Sequence, residues 1–257
     1  MTHRPRARLF TRRRFLAGSA LAAPTLAYGS SVLAMDPVPG VEMPMVEGFT
    51  YRVHRLIVGD ANAREFAPSQ ISKTFPVNGS NAPTSLEMLG HSKTAFRSWA
   101  LQVDGLCARP GLFTLEQLRA MPARTQITRH DCVEGWSAIA QWTGVRLSAL
   151  LERVGASPEA RFAVFHCGDD LIGTPYYESI DMVDAHHAQT ILAYDMNGAP
   201  LPTGHGAPLR LRVERQLGYK HAKFVQRVEL VSSLHGIHGG KGGFWEDFEG
   251  YEWYAGI

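Results

Sequence analysis

The chain lacks the motifs that mark several common protein classes. Only three of its 257 residues are cysteines, and no CxxC pair occurs, so a zinc ribbon, a thioredoxin-type pair and covalently attached haem are unsupported. The phosphate-binding patterns GxGxxG and GxxxxGK are also missing, which argues against a dinucleotide fold and a P-loop. Basic residues outnumber acidic ones only by 26 to 24, and this near-balance disfavours nucleic acid as a partner.

The start of the chain has the pattern of an export signal. The basic stretch TRRRFL at 11–16 precedes a weakly apolar run, which closes with small residues up to Ala34, as a signal peptidase requires. Glycines and a proline within the run suit a membrane-spanning helix poorly. We therefore predict a twin-arginine signal peptide over residues 1–34 and a periplasmic protein. Because this pathway carries folded proteins, often with an inserted cofactor, a redox cofactor is favoured.

Beyond the signal, the pattern predicts one α+β domain. Residues 35–70 mix proline, glycine and short apolar pieces, and they suggest an extended N-terminal arm on the surface of a domain over residues 71–257. About 220 residues are enough for one domain with a sizeable core. Short strands alternate irregularly with short helices, so we expect mixed β-sheets with short helices. Helices are predicted after Thr114, at 147–154 and around 182–188, and strands at 99–105, 125–128, 162–167, 191–194, 209–213 and 224–231.

The stretch RHDCVEGWS at 129–137 places Cys132 among charged and aromatic residues. The neighbouring Arg and His favour the thiolate form of the cysteine, whereas the neighbouring Asp and Glu oppose it. A predicted strand precedes Cys132, so it falls in a loop at a strand end, where functional groups are often held. A thiolate could bind a soft metal or act as a nucleophile beside a base; an inert buried cysteine is the alternative. A disulfide between Cys107 and Cys167 also remains open.

Two basic segments that contain glycine form a second candidate site. HGAPLR at 205–210 and GYKHAK at 218–223 combine glycines, which allow the backbone to approach a ligand closely, with cationic and imidazole side chains. Arg210, Lys220 and Lys223 could bind a phosphate group. The alternative is a pair of strand ends joined by a basic, solvated turn.

Taken in order, these segments resemble the molybdopterin-dependent oxidoreductases of the sulfite oxidase type. The resemblance covers residues 75–231 and rests on WALQVDG with LEQL, CVEGWS, AYDMNGAPLP, HGAPLRLRV and GYKHAKFVQRVEL. Within the family, the twin-arginine signal and the CVExWS stretch are similar to those of exported methionine sulfoxide reductases. Sulfite oxidases instead have a stretch with an arginine after the cysteine, where this chain has Glu134, Gly135 and Trp136.

The resemblance implies a molybdenum–molybdopterin cofactor and suggests which residues hold it. Cys132 would be the thiolate ligand of the molybdenum, and Arg210 would bind the phosphate of the pterin. Cys167 stands at a position that contacts the pterin and that is Thr in the reductases. The other positions implied to contact the cofactor are Asn78, His205, His221, Ala222 and Lys223.

The resemblance also implies a reaction and partners. Oxygen-atom transfer would reduce an S-oxide or N-oxide, with Glu134, Asp131 or His130 as candidates to move protons. Electrons would come from a membrane cytochrome b subunit, and we expect a monomeric catalytic subunit because the dimerisation and haem domains of sulfite oxidases are missing. Sulfite oxidation is the alternative reaction within the family. From other classes, the alternatives are a cofactor-free cysteine hydrolase and an inactive periplasmic binding protein.

Overall fold

The computed structural model describes residues 40–41 and 43–257 of the chain. The predicted signal peptide at 1–34 and the start of the predicted arm lie outside these residues. Within the described part, no helix is both long enough and apolar enough to cross a membrane.

Short helices and strands alternate along the described chain. The α-helices there are α1 (Met45–Val58), α2 (Leu86–Lys93), α3 (Leu115–Arg119), α4 (Leu147–Val154), α5 (Met182–His186) and α6 (Phe244–Glu249). The strands are β1 (Ala100–Gly105), β2 (Gly111–Thr114), β3 (Ala123–Asp131), β4 (Ser137–Arg146), β5 (Phe162–Leu171), β6 (Thr174–Asp181), β7 (Ile191–Met196), β8 (Ala199–Pro200), β9 (Arg210–Arg212) and β10 (Val225–Val231).

Two sheets form the frame of the described chain. The first sheet has the order β2-β1-β10-β5-β6, with β1 and β10 parallel and the other pairs antiparallel. The second sheet has the order β3-β4-β7-β8, all antiparallel, and β9 also pairs with β7. Mixed sheets with short helices confirm the predicted α+β class.

The core follows from the sequence pattern most directly at α4. Its apolar residues recur every three or four positions, at Leu147, Leu150, Leu151 and Val154, and all four are buried. Gly155 follows in the left-handed conformation, which ends the helix without strain on a side chain. The predicted bounds 147–154 are confirmed. Alternate residues of β1 and β10 join the same core, at Leu101, Val103, Val228 and Leu230.

The prediction of an extended arm is wrong over residues 45–58, which form α1. Gly48 and several β-branched residues lower the intrinsic helix propensity of this stretch, so its local signal is weak. Contacts with the domain hold the helix instead. Arg55 donates to Asp181 at 2.7 Å and to Asp184 at 2.8 Å.

Candidate active site

Cys132 is the first residue of a tight loop between β3 and β4. Asp131 and Ser137 form the last pair of the two strands, so the chain reverses within the residues between them. The Cys132 N–H donates to the Trp136 carbonyl at 2.9 Å, and the Gly135 N–H donates to the Cys132 carbonyl at 3.0 Å. Gly135 has a φ of 89°, which favours glycine. The predicted loop at a strand end is therefore present.

A cavity of about 140 Å³ opens beside this loop. The wall combines the Cys132 loop, the loop at 78–80, the facing ends of β5 and β6, the segment 218–223 and two aromatic residues near the C-terminus. The lining residues are Asn78, Gly79, Ser80, Cys132, Val133, Glu134, Asp169, Leu171, Tyr176, Gly218, Tyr219, His221, Lys223, Trp245 and Tyr251.

Arg210 is a fully buried cation next to this cavity wall. Its Nη1 donates to the His205 carbonyl at 3.0 Å and its Nη2 to the His221 carbonyl at 3.3 Å. Its Nε has no hydrogen-bond partner, and no described carboxylate lies within ion-pair distance of it. Burial, followed by the charge of Arg212, lowers the pKa of Arg210 to about 9. The Arg210 guanidinium thus forms hydrogen bonds with neutral groups alone.

Lys223 is a second cation without an acidic partner. Its Nζ donates to the carbonyl of Asn78 at 2.6 Å, to that of Gly204 at 3.1 Å and to that of Ser80. Burial, followed by the charge of Arg210, lowers the pKa of Lys223 to about 8. These bonds tie the loop at 78–80 to the segment that bears Lys223, and they leave the positive charge unneutralised.

Three histidines surround these cations in neutral form. Burial is the main cause that lowers the pKa of His130, His205 and His221, and that of His205 falls to about 4. Arg212 can only donate, so Nδ1 of His130 accepts its Nη1 at 2.9 Å and the proton sits on Nε2. The Gln216 carbonyl accepts from Nε2 of His221 at 3.0 Å. The opposite nitrogens, Nε2 of His130 and Nδ1 of His221, are buried without a partner, as is Nδ1 of His205.

The structure brings most of the predicted site residues together. Asn78, Cys132, Glu134, His221 and Lys223 line the cavity. Four others do not line it, namely Cys167, His205, Arg210 and Ala222, and all of these except the half-buried His205 are buried. All three cysteines are free, so Cys107 and Cys167 form no disulfide.

The three candidates for proton transfer lie in different places. Glu134 lines the cavity, and its Oε2 accepts from Nε1 of Trp136 at 3.0 Å. His130 is buried behind the loop. Asp131 contacts Arg129 at 2.9 Å and the Ser137 hydroxyl at 2.5 Å, and it does not line the cavity. Glu134 is therefore the one of the three with direct access to a bound molecule.

Lys220 does not serve as the phosphate ligand that its segment suggested. Its Nζ is buried and donates to Glu246 at 2.6 Å and to Glu178. Desolvation and Glu246 raise the pKa of Glu178 well above its usual range. Lys220 therefore joins β6 to α6, and its positive charge pairs with carboxyl groups inside the protein.

Several lining residues could not be found from a local motif. Tyr176 lies on β6, where its hydroxyl donates to the Tyr219 carbonyl at 2.8 Å. Trp245 and Tyr251 come from the C-terminal segment and stack on each other with ring centroids 5.8 Å apart. The aromatic character of the segment was the only signal available, and it does not say which ring reaches a cavity.

Comparisons with known proteins agree with this arrangement. The family model described as oxidoreductase molybdopterin binding domain matches residues 89–236. A putative protein-methionine-sulfoxide reductase subunit, YedZ1, of Azospira oryzae is 37% identical over 74% of this chain and 66% of its own length. The protein-methionine-sulfoxide reductase catalytic subunit MsrP of Xanthomonas campestris pv. campestris is 35% identical over 53% of this chain.

The matches span only part of these relatives. The chain covers 66% of the Azospira protein and 46% of the Xanthomonas protein. The crystal structure of the sulfane dehydrogenase SoxCD from Paracoccus pantotrophus matches with a TM-score of 0.50 and 25% identity, over 53% of this chain and 39% of that chain. The family model covers more than half of the chain, so the predicted resemblance is confirmed. The chain belongs to the oxidoreductase molybdopterin-binding domain family and is an oxidoreductase whose cofactor is molybdopterin-bound molybdenum.

Proposed function

We propose that this chain reduces an S-oxide, such as methionine sulfoxide in a protein, or an N-oxide by oxygen-atom transfer. The single observation that carries the proposal is the position of Cys132, on the wall of a cavity backed by unneutralised cations. A soft thiolate suits molybdenum, and buried cations suit the phosphate of a pterin. The names of the relatives, which refer to methionine sulfoxide reduction, support the choice of substrate.

The residues around the cavity fit the cofactor. Among the described residues, Arg210 and Lys223 are buried cations without an ion pair to a carboxylate, and a phosphate would supply an acidic partner. The unpartnered nitrogens of His130, His205 and His221 are the kind of group that a buried polar ligand satisfies. In this proposal Cys132 binds the metal, and Asn78 and Ala222 contribute backbone and side-chain contacts to the pterin.

The reaction consumes two protons and two electrons for each oxide, and it yields the reduced substrate and water. The bound cofactor supplies the two-electron oxygen-atom chemistry. Glu134 supplies a proton at the cavity, where its carboxylate accepts from Trp136 and lies within hydrogen-bond reach of Cys132. The rings of Trp245 and Tyr251 give an apolar wall against which a thioether side chain packs.

Sulfite oxidation fits the cavity less well. Sulfite is a small dianion, and a site for it needs arginines in contact with the substrate. The described lining contains Glu134 beside Cys132 and no arginine. The hydrolase alternative, in which Cys132 would act with a histidine as its base, is also disfavoured. Among the described contacts, none joins Cys132 Sγ to a histidine.

The proposal extends to location and electron supply. The TRRRFL stretch supports export by the twin-arginine pathway to the periplasm. A membrane cytochrome b subunit, which the resemblance to the exported reductases implies, is the proposed electron donor. Replacement of Arg13 and Arg14 by Lys should retain the protein in the cytoplasm, as cell fractionation would show.

The test is an assay of the purified exported protein with reduced viologen as an artificial electron donor. We expect viologen oxidation that depends on methionine sulfoxide, and its loss in Cys132→Ser. Cys107→Ser is the matched control, because Cys107 is also a free thiol but does not line the cavity. Full activity of Cys132→Ser, or oxidation of sulfite with no reduction of any oxide, would contradict the proposal.

A further inference from the structure

Helix α1 carries an apolar stripe that faces away from the domain. Met45 is 78% exposed, Leu56 86% and Ile57 76%, and the exposed Val46 and Phe49 lie beside them. The spacings of four, seven and eleven residues put these side chains on one side of the helix. Scattered apolar side chains are common on protein surfaces, but a continuous stripe marks an interaction surface.

The polar side of α1 faces inward and is fixed there. Glu47 accepts the backbone N–H of Tyr254 at 3.0 Å, and the Tyr51 hydroxyl donates to Asp181 at 2.9 Å. Arg55 pairs with Asp181 and with Asp184. These buried bonds would break if the helix turned its stripe toward the domain. The outward orientation of the stripe is therefore a stable property of the fold.

The charges of α1 suit a negatively charged surface. Glu47 is the only acidic residue between Met45 and Val58, and it is buried on the inner side. Arg52 follows Met45 by seven residues, or about two turns, so the two side chains lie next to each other when the helix is viewed along its axis, at the edge of the stripe. The outer side of α1 thus combines apolar side chains with an arginine at their edge and no acidic residue, and this composition suits an anionic bilayer surface.

The chain that precedes α1 indicates which surface the helix meets. Residues 1–39 carry six arginines and an apolar run, and α1 begins only a few residues later. The first helix of the domain is therefore delivered next to the membrane during export. A single convex helix, roughly 21 Å long at 1.5 Å per residue, offers a ridge and no groove.

We propose that α1 docks the domain on the surface of an anionic bilayer, with its apolar stripe in the boundary between headgroups and acyl chains. The inner side of α1 contacts Tyr254, whose ring lies 4.7 Å from that of Tyr51. The same C-terminal segment supplies Trp245 and Tyr251 to the cavity wall. Docking would hold this wall near the membrane, within reach of a membrane electron donor. That benefit for electron transfer rests on the proposed function, whereas binding of α1 to lipid does not.

The experiment is co-sedimentation of the purified exported protein with vesicles of phosphatidylcholine and phosphatidylglycerol in a ratio of about 7:3. The double variant Leu56→Ser with Ile57→Ser should bind at least about 10-fold more weakly than the wild type, because it removes two apolar anchors. The matched control is Leu86→Ser with Leu112→Ser, two leucines on α2 and β2 that are also largely exposed. The control should bind like the wild type.

Three results would overturn the proposal. The first is equal vesicle binding by the wild type and the α1 variant. The second is dimerisation through the stripe, seen by light scattering, without any binding to vesicles. The third is binding only to native membranes that contain other proteins. Viologen-driven reduction of methionine sulfoxide should be unchanged in both double variants, so a failed reaction and a failed docking site are distinguishable.

Discussion

At the scale of single residues, the site is defined by buried charge that the folded chain leaves unneutralised. Arg210 and Lys223 donate only to carbonyl groups, although both are buried. A buried cation without a counter-ion destabilises a protein, and the lowered pKa values of both groups record that cost. An anionic cofactor removes the cost, so binding and stability are coupled at these residues.

Arg210→Gln should weaken retention of the cofactor. Loss of the guanidinium removes charge-assisted hydrogen bonds to a phosphate, and we expect about 10- to 100-fold weaker retention. The measurement is the pterin content of purified protein after dialysis. Arg119→Gln is the control, because Arg119 makes a surface pair with Asp195 at 2.6 Å far from the cavity. Equal pterin content in the two variants would contradict a phosphate-binding role.

Lys223 should make the cofactor-free protein more stable as the pH rises. Its pKa is about 8 in the folded state, below the ordinary 10.5, so the unfolded chain binds more protons between these values. The free energy of unfolding should rise above pH 8 by up to about 1.4 kcal/mol per pH unit from this group. Urea unfolding at several pH values, compared with Lys223→Met, would measure it. Parallel pH profiles for the two proteins would disprove the assignment.

The sequence predicts the residues that belong to continuous motifs better than those that do not. Cys132, Glu134, His221 and Lys223 lie in short segments with distinctive chemistry, and the structure brings them to one cavity. Tyr176 and Trp245 reach the same cavity from separate elements. Their contribution depends on tertiary packing, which no local pattern encodes.

At the scale of elements, the hairpin of β3 and β4 and the C-terminal segment position the cavity wall. The hairpin fixes Cys132 through two backbone bonds within its loop. The C-terminal segment is held by the buried pairs of Lys220 with Glu178 and Glu246. Each element therefore presents its lining residues from a rigid base.

Gly135→Ala should disturb the loop that holds Cys132. Its φ of 89° is unfavourable for alanine, so the variant should lose about 1–3 kcal/mol of stability and activity with it. Gly198→Ala is the matched control, because Gly198 has a φ of 77° in the turn between β7 and β8 and is also free of close neighbours. We expect similar loss of stability in both variants, but loss of activity only in Gly135→Ala. Unchanged activity in Gly135→Ala would show that the loop conformation does not matter for the reaction.

Lys220→Met should release the C-terminal segment. It leaves two buried carboxyl groups without a cation, and we expect a loss of about 3–5 kcal/mol in the free energy of unfolding and faster hydrogen exchange in α6.

Glu178→Gln should instead stabilise the folded protein, because glutamine keeps the acceptor oxygen and removes one of the two carboxylate charges that compete for Lys220. The raised pKa of Glu178 means that its contribution to stability falls as the pH rises from about 4.5, and Glu178→Gln should abolish that fall. Destabilisation by Glu178→Gln at neutral pH would contradict this account.

Elements with strong local signals were predicted correctly, whereas others were not. Helix α3 begins where Thr114 accepts the Gln117 N–H at 3.2 Å, and this capping pattern is visible in the sequence. Helix α4 has regular apolar spacing. In contrast, α1 is held by Arg55 and Tyr51, whose partners lie about 130 positions further along the chain. Such contacts override local propensity, so α1 was predicted as an extended arm.

At the scale of the whole molecule, the cavity lies where loops from both sheets meet. The second sheet supplies Cys132 through its β3–β4 hairpin, and the first sheet supplies Asp169 and Tyr176 from β5 and β6. Helix α1, which carries the apolar stripe, packs on the C-terminal segment that closes one side of the cavity. A surface that binds the stripe would therefore lie on the same side of the molecule as this segment. The fold thus provides a cofactor site and a separate candidate docking surface.

The most direct test of the central claim is the molybdenum and pterin content of the exported protein, with Cys132→Ser and Cys107→Ser measured alongside. The protein should come from a host that makes the cofactor. We expect about one molybdenum per chain in the wild type and in Cys107→Ser, as a single cysteine-bound site requires. The metal should be lost, or its absorption spectrum changed, in Cys132→Ser. Correctly exported wild-type protein without molybdenum or pterin would contradict the account.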